Sequence, residues 1–520
     1  MNLKKAVFTI SALTIAVSQM SHAGTDPYFI PLTESAPVQA PNDITEFTAP
    51  WVAPAGMSWT KLNSLSDIEA DVTQSVVRVD DAGTGNRPTS ASMFDMLAYD
   101  PDGRFIIIPH ETLTQAGASV YDTETGKTHI IFKGDGKGLM GDWSNDFGAF
   151  DPARFTPEGT VLLAEEWSGK GRVIEVLDPL GDAPSDPTAG SKSMKEGKDW
   201  RVLPFARVSH EGINLSVKNP ERVIYFVDED RSGSIYKMVL NDDNAYKAGG
   251  QTFVLKVDGF TGEADERWDG STCAEDCANQ DPAVQATRFG KATWVAITNK
   301  GGGPLKGITY PLDNRDTDSS RPGRVAADDA KATPYGRPED MTIGTSASGN
   351  EMLYVTTTSE NAVISIEEMP DGTAMVRQFA KRDVTPKNLG FAATTGALNS
   401  PDNLAQDALG NIYIIEDAPN RSSTGGDVWF ARDVDNDGVA ESLDHYLSIR
   451  VDGSEATGMI FNPAKPAEFV IAVQHPDSTS LAAVANGHGD AVWQFDISDI
   501  DAGFTEALKE AADDQSSYQP

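Results

Sequence analysis

A short unit recurs six times along this chain. Each copy opens on a carboxylate, runs through an apolar stretch, turns at Gly or Asn, continues as a strand-like segment and closes on further polar or acidic residues. The clearest copies are HEGINLSVKNPERVIYFVDED from His210, RPEDMTIGTSASGNEMLYVTTTSEN from Arg337 and SPDNLAQDALGNIYIIEDAPN from Ser400. Looser copies are FDMLAYDPDGRFIIIPHE from Phe94, FDPARFTPEGTVLLAEE from Phe150 and SEATGMIFNPAKPAEFVIAVQHPD from Ser454. A unit of this size cannot bury both faces alone, so copies must stack, and equivalent residues then fall around one axis. The opening carboxylates are Asp95, Asp151, Glu211, Glu339, Asp402 and Glu455, separated by 56, 60, 128, 63 and 53 residues. Most of these gaps slightly exceed the roughly 40–50 residues of a four-stranded propeller blade.

Short β runs rich in Val, Ile, Tyr and Phe fill the chain from about Phe94, among them TVLLAEEW, RVIYFVDED, MLYVTTTS, NIYIIED and EFVIAVQHP. Gly, Asn, Asp and Pro turns separate them, and long amphipathic helices are nearly absent. Each copy carries a second pair of strands, as in GSIYKMVL and AVISIEEM. The pattern predicts an all-β fold, a six-bladed β-propeller over residues 91–500. Residues 24–90 read as an extended N-terminal arm able to supply a closing strand. The long third gap holds a stretch at 250–335, read as an insertion or cap or as a further blade, and 501–520 reads as a tail.

Met1–Ala23 has the form of a secretory signal: Lys4 and Lys5, then an apolar core, then Ser21-His22-Ala23. The expectation is a periplasmic or secreted protein exported by the general secretory route. The formal net charge is −36. A field of that sign repels nucleic acid and anionic lipid, and no later segment approaches a membrane span. A monomer is expected. The two cysteines, Cys273 and Cys277, are read as a local disulfide, since an exported chain meets oxidising conditions.

Three motifs carry chemistry. Six carboxylates converging near one channel mouth raise one another's pKa unless cations hold them, and oxygen donors favour calcium, manganese or magnesium. Their neighbours His210 and Arg337 are candidates for an anionic substrate, because a guanidinium forks onto phosphate oxygens. The run DVDNDGVAESLD places Asp433, Asp435, Asp437 and Asp444 at positions 1, 3, 5 and 12 of a calcium loop, with Gly438 at the turn.

Together these features resemble the PhoX family of secreted, calcium-dependent alkaline phosphatases. The resemblance runs from about His110 to Pro476 and rests on His110-Glu111, TPEGTVLLAEE, His210-Glu211, Arg337-Pro338-Glu339-Asp340, SPDNL, Ser454-Glu455-Ala456-Thr457-Gly458 and Gln474-His475-Pro476. It implies a propeller with a mixed iron and calcium cluster that hydrolyses phosphomonoesters. In that arrangement Glu211 and Glu339 ligate iron, Glu165 and Glu455 ligate calcium, and Arg337 holds the phosphate. The chain departs from the family where a cysteine precedes the glutamate pair: that position is Ala164. Losing a soft ligand weakens iron binding most and calcium binding least. Two other functions are compatible with the residues: a non-catalytic calcium-binding propeller for ligand capture or adhesion, and a calcium-dependent lactonase.

Overall fold

A computed structural model describes residues 27–39, 48–71, 78–79, 90–91, 93–167, 169–180, 200–268, 278–313, 321–420, 422–476 and 488–516. The signal-like segment Met1–Ala23 and both cysteines, Cys273 and Cys277, lie outside these residues. The main sheets are antiparallel meanders, as expected of short strands joined by tight turns. Four of them are blade-like, built on the first strands Met93–Phe94 with Ala98–Tyr99, Phe150–Phe155, Pro401–Gln406 and Glu455–Asn462.

A fifth sheet has nine strands. It contains two four-stranded meanders, one from Ile213–Leu215 to Gly250–Val257 and one from Pro338–Thr345 to Ala374–Lys381. Gly290–Ala296 pairs with the outermost strand of each and welds them. The fold is therefore all-β and propeller-like, while the sharp division into six blades expected from the repeat is lost at this seam. The stretch 250–335 is accordingly no simple insertion. Its first residues complete one meander and Gly290–Ala296 bridges to the next.

An early and a late segment of the chain meet. Ser58–Ser64 of the N-terminal arm pairs with Ala491–Asp496, so residues from before the first repeat complete the last sheet. Trp51–Val52 adds to the edge formed by Ser442–Ile449. The C-terminal segment is helical over Ala502–Ser516, and Phe504 stacks on Tyr28 with ring centroids 3.5 Å apart. Apolar side chains fill the spaces between successive sheets, as with Leu162, Ala164, Phe205 and Phe226.

Hydrogen bonds join each first strand to the next around a closed circuit. The Ala153 amide donates to the Met96 carbonyl (3.3 Å), and Arg154 Nε donates to the Ile213 carbonyl (3.2 Å). Asn214 Nδ2 donates to the Met341 carbonyl (2.6 Å), and the Leu404 amide donates to Asp340 Oδ2 (3.0 Å). The Gly458 amide donates to Asn403 Oδ1 (2.5 Å), and Thr457 Oγ1 returns to Asp95 Oδ1 (2.5 Å). These links hold the first strands, and whatever they carry, at fixed spacing around the axis.

Candidate metal centre

Three first strands share a local distortion at the acidic position. Pairing with the second strand shifts register between Phe150 and Ala153, between Pro338 and Met341, and between Pro401 and Leu404. Each shift brackets the carboxylate: Asp151, Glu339 and Asp402. The residue before each bulged strand is left-handed, with φ of 49° at Ala149, 54° at Arg337 and 45° at Ser400. Bulges re-aim side chains, and non-glycine residues at positive φ cluster where function over-determines the backbone.

The outcome is an acidic chain around the axis. Carboxylate oxygens of Asp95, Glu111 and Asp151 lie within 4.8 Å of one another, as do those of Asp151, Glu166 and Glu211, and those of Glu211, Glu339 and Asp402. Glu455 joins through Gln474, whose Nε2 donates to both Asp95 and Glu455. His475 Nε2 stands 3.5 Å from Glu455 Oε2.

Electrostatics follow from burial and crowding. Burial raises Asp151, Glu166, Glu211, Asp402 and Glu455 well above the usual carboxylate range, and neighbouring carboxylates add to the shift. Burial likewise pushes Asp95 up to about 7 and Glu339 up to about 8. Asp151 Oδ1 and Asp402 Oδ1 are buried and accept no hydrogen bond from any described residue. Such buried groups are costly unless a proton or a cation completes them, so the donor set fits hard divalent metal.

Arg337 is the cation set against this chain. Its Nε donates to Glu229, and its Nη2 lies 3.2 Å from Glu339 Oε1. Its amide donates to the Asp230 carbonyl (2.8 Å), and its carbonyl accepts from the Thr358 amide (3.0 Å). Its side chain keeps 28% of its surface exposed, so the guanidinium is fixed yet reachable.

The structure thus brings Glu211, Glu339, Asp402, Glu455 and Arg337 near one another. It sends Glu165 elsewhere. Glu165 accepts from Arg172 Nε (2.8 Å) and from the Gly148 and Arg172 amides (3.0 and 2.9 Å). Glu416 makes matching contacts with the Asn399 and Asp427 amides, and Asp228 accepts from the Ser209 amide. These three carboxylates tie together the connections around the second-strand end. The residue after each, Glu166, Asp417 and Glu229, interacts with the acidic chain or its arginine instead. The repeat carries this signal, since all three pairs stand at or just past the end of a second strand, where successive side chains take opposite sides.

His210 also leaves the site. Its Nε2 meets the Ala206 carbonyl (3.1 Å), its ring packs near Phe226, and burial lowers its pKa to about 3, keeping it neutral. Ala164, at the family's cysteine position, is fully buried among apolar side chains.

The calcium-loop motif folds only in part as its spacing predicts. Oxygens of Asp433, Asp435 and Glu441 lie within 4.8 Å of one another. Asp437 Oδ1 instead caps the Val439 amide (2.9 Å). Asp444 lies in the next strand, paired with Arg432 (3.1 Å) and accepting from Ser442 Oγ (2.7 Å). The loop ends before reaching position 12, because the strand Ser442–Ile449 has already begun.

Fold and site define a propeller-like protein with a buried acidic centre and an arginine at its edge. The family model described as alkaline phosphatase PhoX matches residues 197–477, and the chain belongs to that family. No curated protein matches it. Solved structures with a similar arrangement include a gluconolactonase from Xanthomonas campestris, at 10% identity and TM-score 0.37, covering 89% of this chain and 99% of that one. A virginiamycin B lyase from Staphylococcus aureus gives 9% identity and TM-score 0.36, covering 85% and 99%. The calcium-binding protein regucalcin from Agrobacterium tumefaciens gives 10% identity and TM-score 0.31, covering 77% and 89%. These likenesses are too distant to bear on the chemistry.

Proposed function

We propose that this protein is a metal-dependent hydrolase of phosphate esters, exported to the periplasm or beyond, on a propeller whose welded sheet counts as two of six blades. The observation that carries the reading is the run of buried and half-buried carboxylates with Arg337 fixed against it. Asp95, Asp151, Glu211, Glu339, Asp402 and Glu455 are the residues that would hold metal, with Glu111 and Glu166 between them. Calcium is the expected ion, because every donor is a hard oxygen and no thiol stands at position 164. Bound divalent cations supply Lewis-acid polarisation and charge compensation for a phosphoryl group.

The chain's own residues supply position and complementary charge. Glu229 and Glu339 fix the Arg337 guanidinium, leaving its exposed edge to meet a phosphate oxygen. The Asp230 carbonyl and Thr358 amide hold its backbone in the left-handed conformation that aims it. The inter-strand hydrogen bonds keep the carboxylates from spreading when they ionise.

The decisive assay is phosphate release from an aryl phosphate by the purified protein, with calcium and with a chelator. Turnover that needs calcium and falls by at least about a hundredfold in Arg337→Ala is the expected result. Absence of turnover by metal-replete protein rejects the reading. A non-catalytic calcium-binding role is then the alternative, favoured by the apolar packing of Ala164. Elemental analysis of protein from its native compartment separates them further, since iron beside calcium would favour the enzyme.

A further inference from the structure

A cavity of about 470 Å³ opens beside the acidic chain. Its walls come from residues of the stretches 395–400, 416–420 and 422–427, with Arg382 and, from the N-terminal arm, Ser35. It shares a wall with the metal centre. Ser400, in its lining, directly precedes Pro401-Asp402, and the Asp417 amide donates to the Ser400 carbonyl (2.9 Å). Asn420, also in the lining, donates through Nδ2 to Asp417 and to Glu455 Oε2, the latter at 3.1 Å.

The cavity is built and polar. Glu416 is 1% exposed and Asp427 is 1% exposed, and both are fixed by buried partners. Trp429 Nε1 donates to Glu416 Oε1 (2.8 Å), while Ser35 Oγ and Ser448 Oγ donate to Asp427 (2.6 and 2.5 Å). Arg382 is held by the Leu398 carbonyl and Asn399 Oδ1. No aromatic and no large aliphatic side chain is among the described residues that line it. Its volume suits a small ligand, but its walls offer hydroxyls, amides and carboxylates in place of the usual apolar surface. Among the described lining residues only the Arg382 guanidinium offers a face to an aryl ring or a nucleobase, and its edge is tied to Leu398 and Asn399.

We propose that this cavity is the leaving-group subsite, and that it receives the alcohol half of a phosphate ester of a small polyhydroxylated alcohol, such as glycerol or a hexose. The inference rests on the phosphatase reading above. In the reaction the oxygen of water bonds to phosphorus and the phosphorus–oxygen ester bond breaks. The released alcohol takes a proton from that water, and its hydroxyls exchange hydrogen bonds with Asn399, Asp417 and Asn420 while it departs. Sites that hydrogen-bond a substrate hydroxyl discriminate strongly against analogues lacking it.

The test uses the full, calcium-loaded protein. Ala397 and Thr424 line the cavity and are exposed, so Ala397→Trp and Thr424→Trp fill it without disturbing a buried side chain. Turnover of glycerol phosphate, glucose phosphate and phenyl phosphate is measured, along with inhibition by inorganic phosphate. The native protein should favour the polyol esters by about tenfold or more in kcat/KM, and each filled variant should lose about that factor on them. Inhibition by inorganic phosphate should stay within about twofold, since that ion needs only the metal centre and Arg337. Aryl ester turned over equally well, or polyol turnover untouched by both tryptophans, overturns the subsite and leaves the phosphatase reading standing. No turnover of any ester overturns both.

Discussion

At the scale of single residues, adjacent carboxylates have opposite duties. Glu165 is paired and fully hydrogen-bonded, whereas Glu166 crowds other acids. Glu165→Gln should therefore destabilise the protein by about 3–5 kcal/mol, because it leaves the Arg172 charge buried without its partner. Glu166→Gln should leave chelator-treated protein as stable as native or more so, since it removes like-charge repulsion, and should weaken calcium binding. Denaturant unfolding in chelator and calorimetric calcium titration of both variants check this. Equal destabilisation by the two would show that the assignment of roles is wrong. The sequence marks Glu165-Glu166 as a pair but not which member turns inward, because the strand's end and the tie to Arg172 decide that.

At the scale of elements, hairpins and bulges set where side chains point. The turn joining Pro338–Thr345 to Glu351–Thr357 is fastened by Glu367, which accepts from Ser346 and Ser348 Oγ, Asn350 Nδ2 and Arg377 Nη2 at 2.7–2.9 Å. Burial alone would raise its pKa, yet these donors outweigh it and lower it to about 2. A carboxyl lowered in the folded state adds stability above its unfolded pKa of about 4.3 and loses it as pH falls toward 2. The full linkage would be about 3 kcal/mol, reduced to about 1 kcal/mol because solvent reaches the turn. The stability gap between native protein and Glu367→Gln should therefore be present at pH 6 and close by about pH 2 to 3, read from denaturant midpoints across that range. Gly458 marks a second constraint. It has φ of 59°, and a Cβ there would lie 2.5 Å from the Asp95 carbonyl oxygen. Gly458→Ala should cost at least about 1–3 kcal/mol and weaken calcium binding, since it pushes apart two strands that carry site carboxylates.

At the scale of the whole molecule, ring closure and cation binding support each other. The first strands are tied in a circuit, and the last sheet is finished by Ser58–Ser64 from the other end of the chain. Removing residues up to Ser64 should expose the edge of Ala491–Asp496 and abolish cooperative unfolding, as followed by calorimetry. Chelator should lower the melting temperature by several degrees, and calcium should restore it, stabilising the fold by about 2.7 kcal/mol per site at a hundredfold excess over Kd. A melting temperature indifferent to both would reject the metal centre. The described residues include no helix long and apolar enough to cross a membrane.

The sequence by itself determined the strands, the recurrence of the unit and the convergence of its opening carboxylates. These are legible because strand alternation and turn residues are local, and because a stacked repeat brings like positions to one axis. Arg337 was legible for the same reason, standing two residues before Glu339. Only the tertiary structure decided the rest. Glu111, Glu166 and Glu229 reach the centre or its arginine, while Glu165 and His210 turn away from it, because bulges, left-handed residues and inter-strand hydrogen bonds set the direction of each side chain. Asp444 left the calcium loop because a strand claimed it. The weld at Gly290–Ala296 was hidden because strand partners distant in sequence leave no local periodic trace. Periodicity can bring residues to an axis, but the packed backbone chooses which atoms meet there.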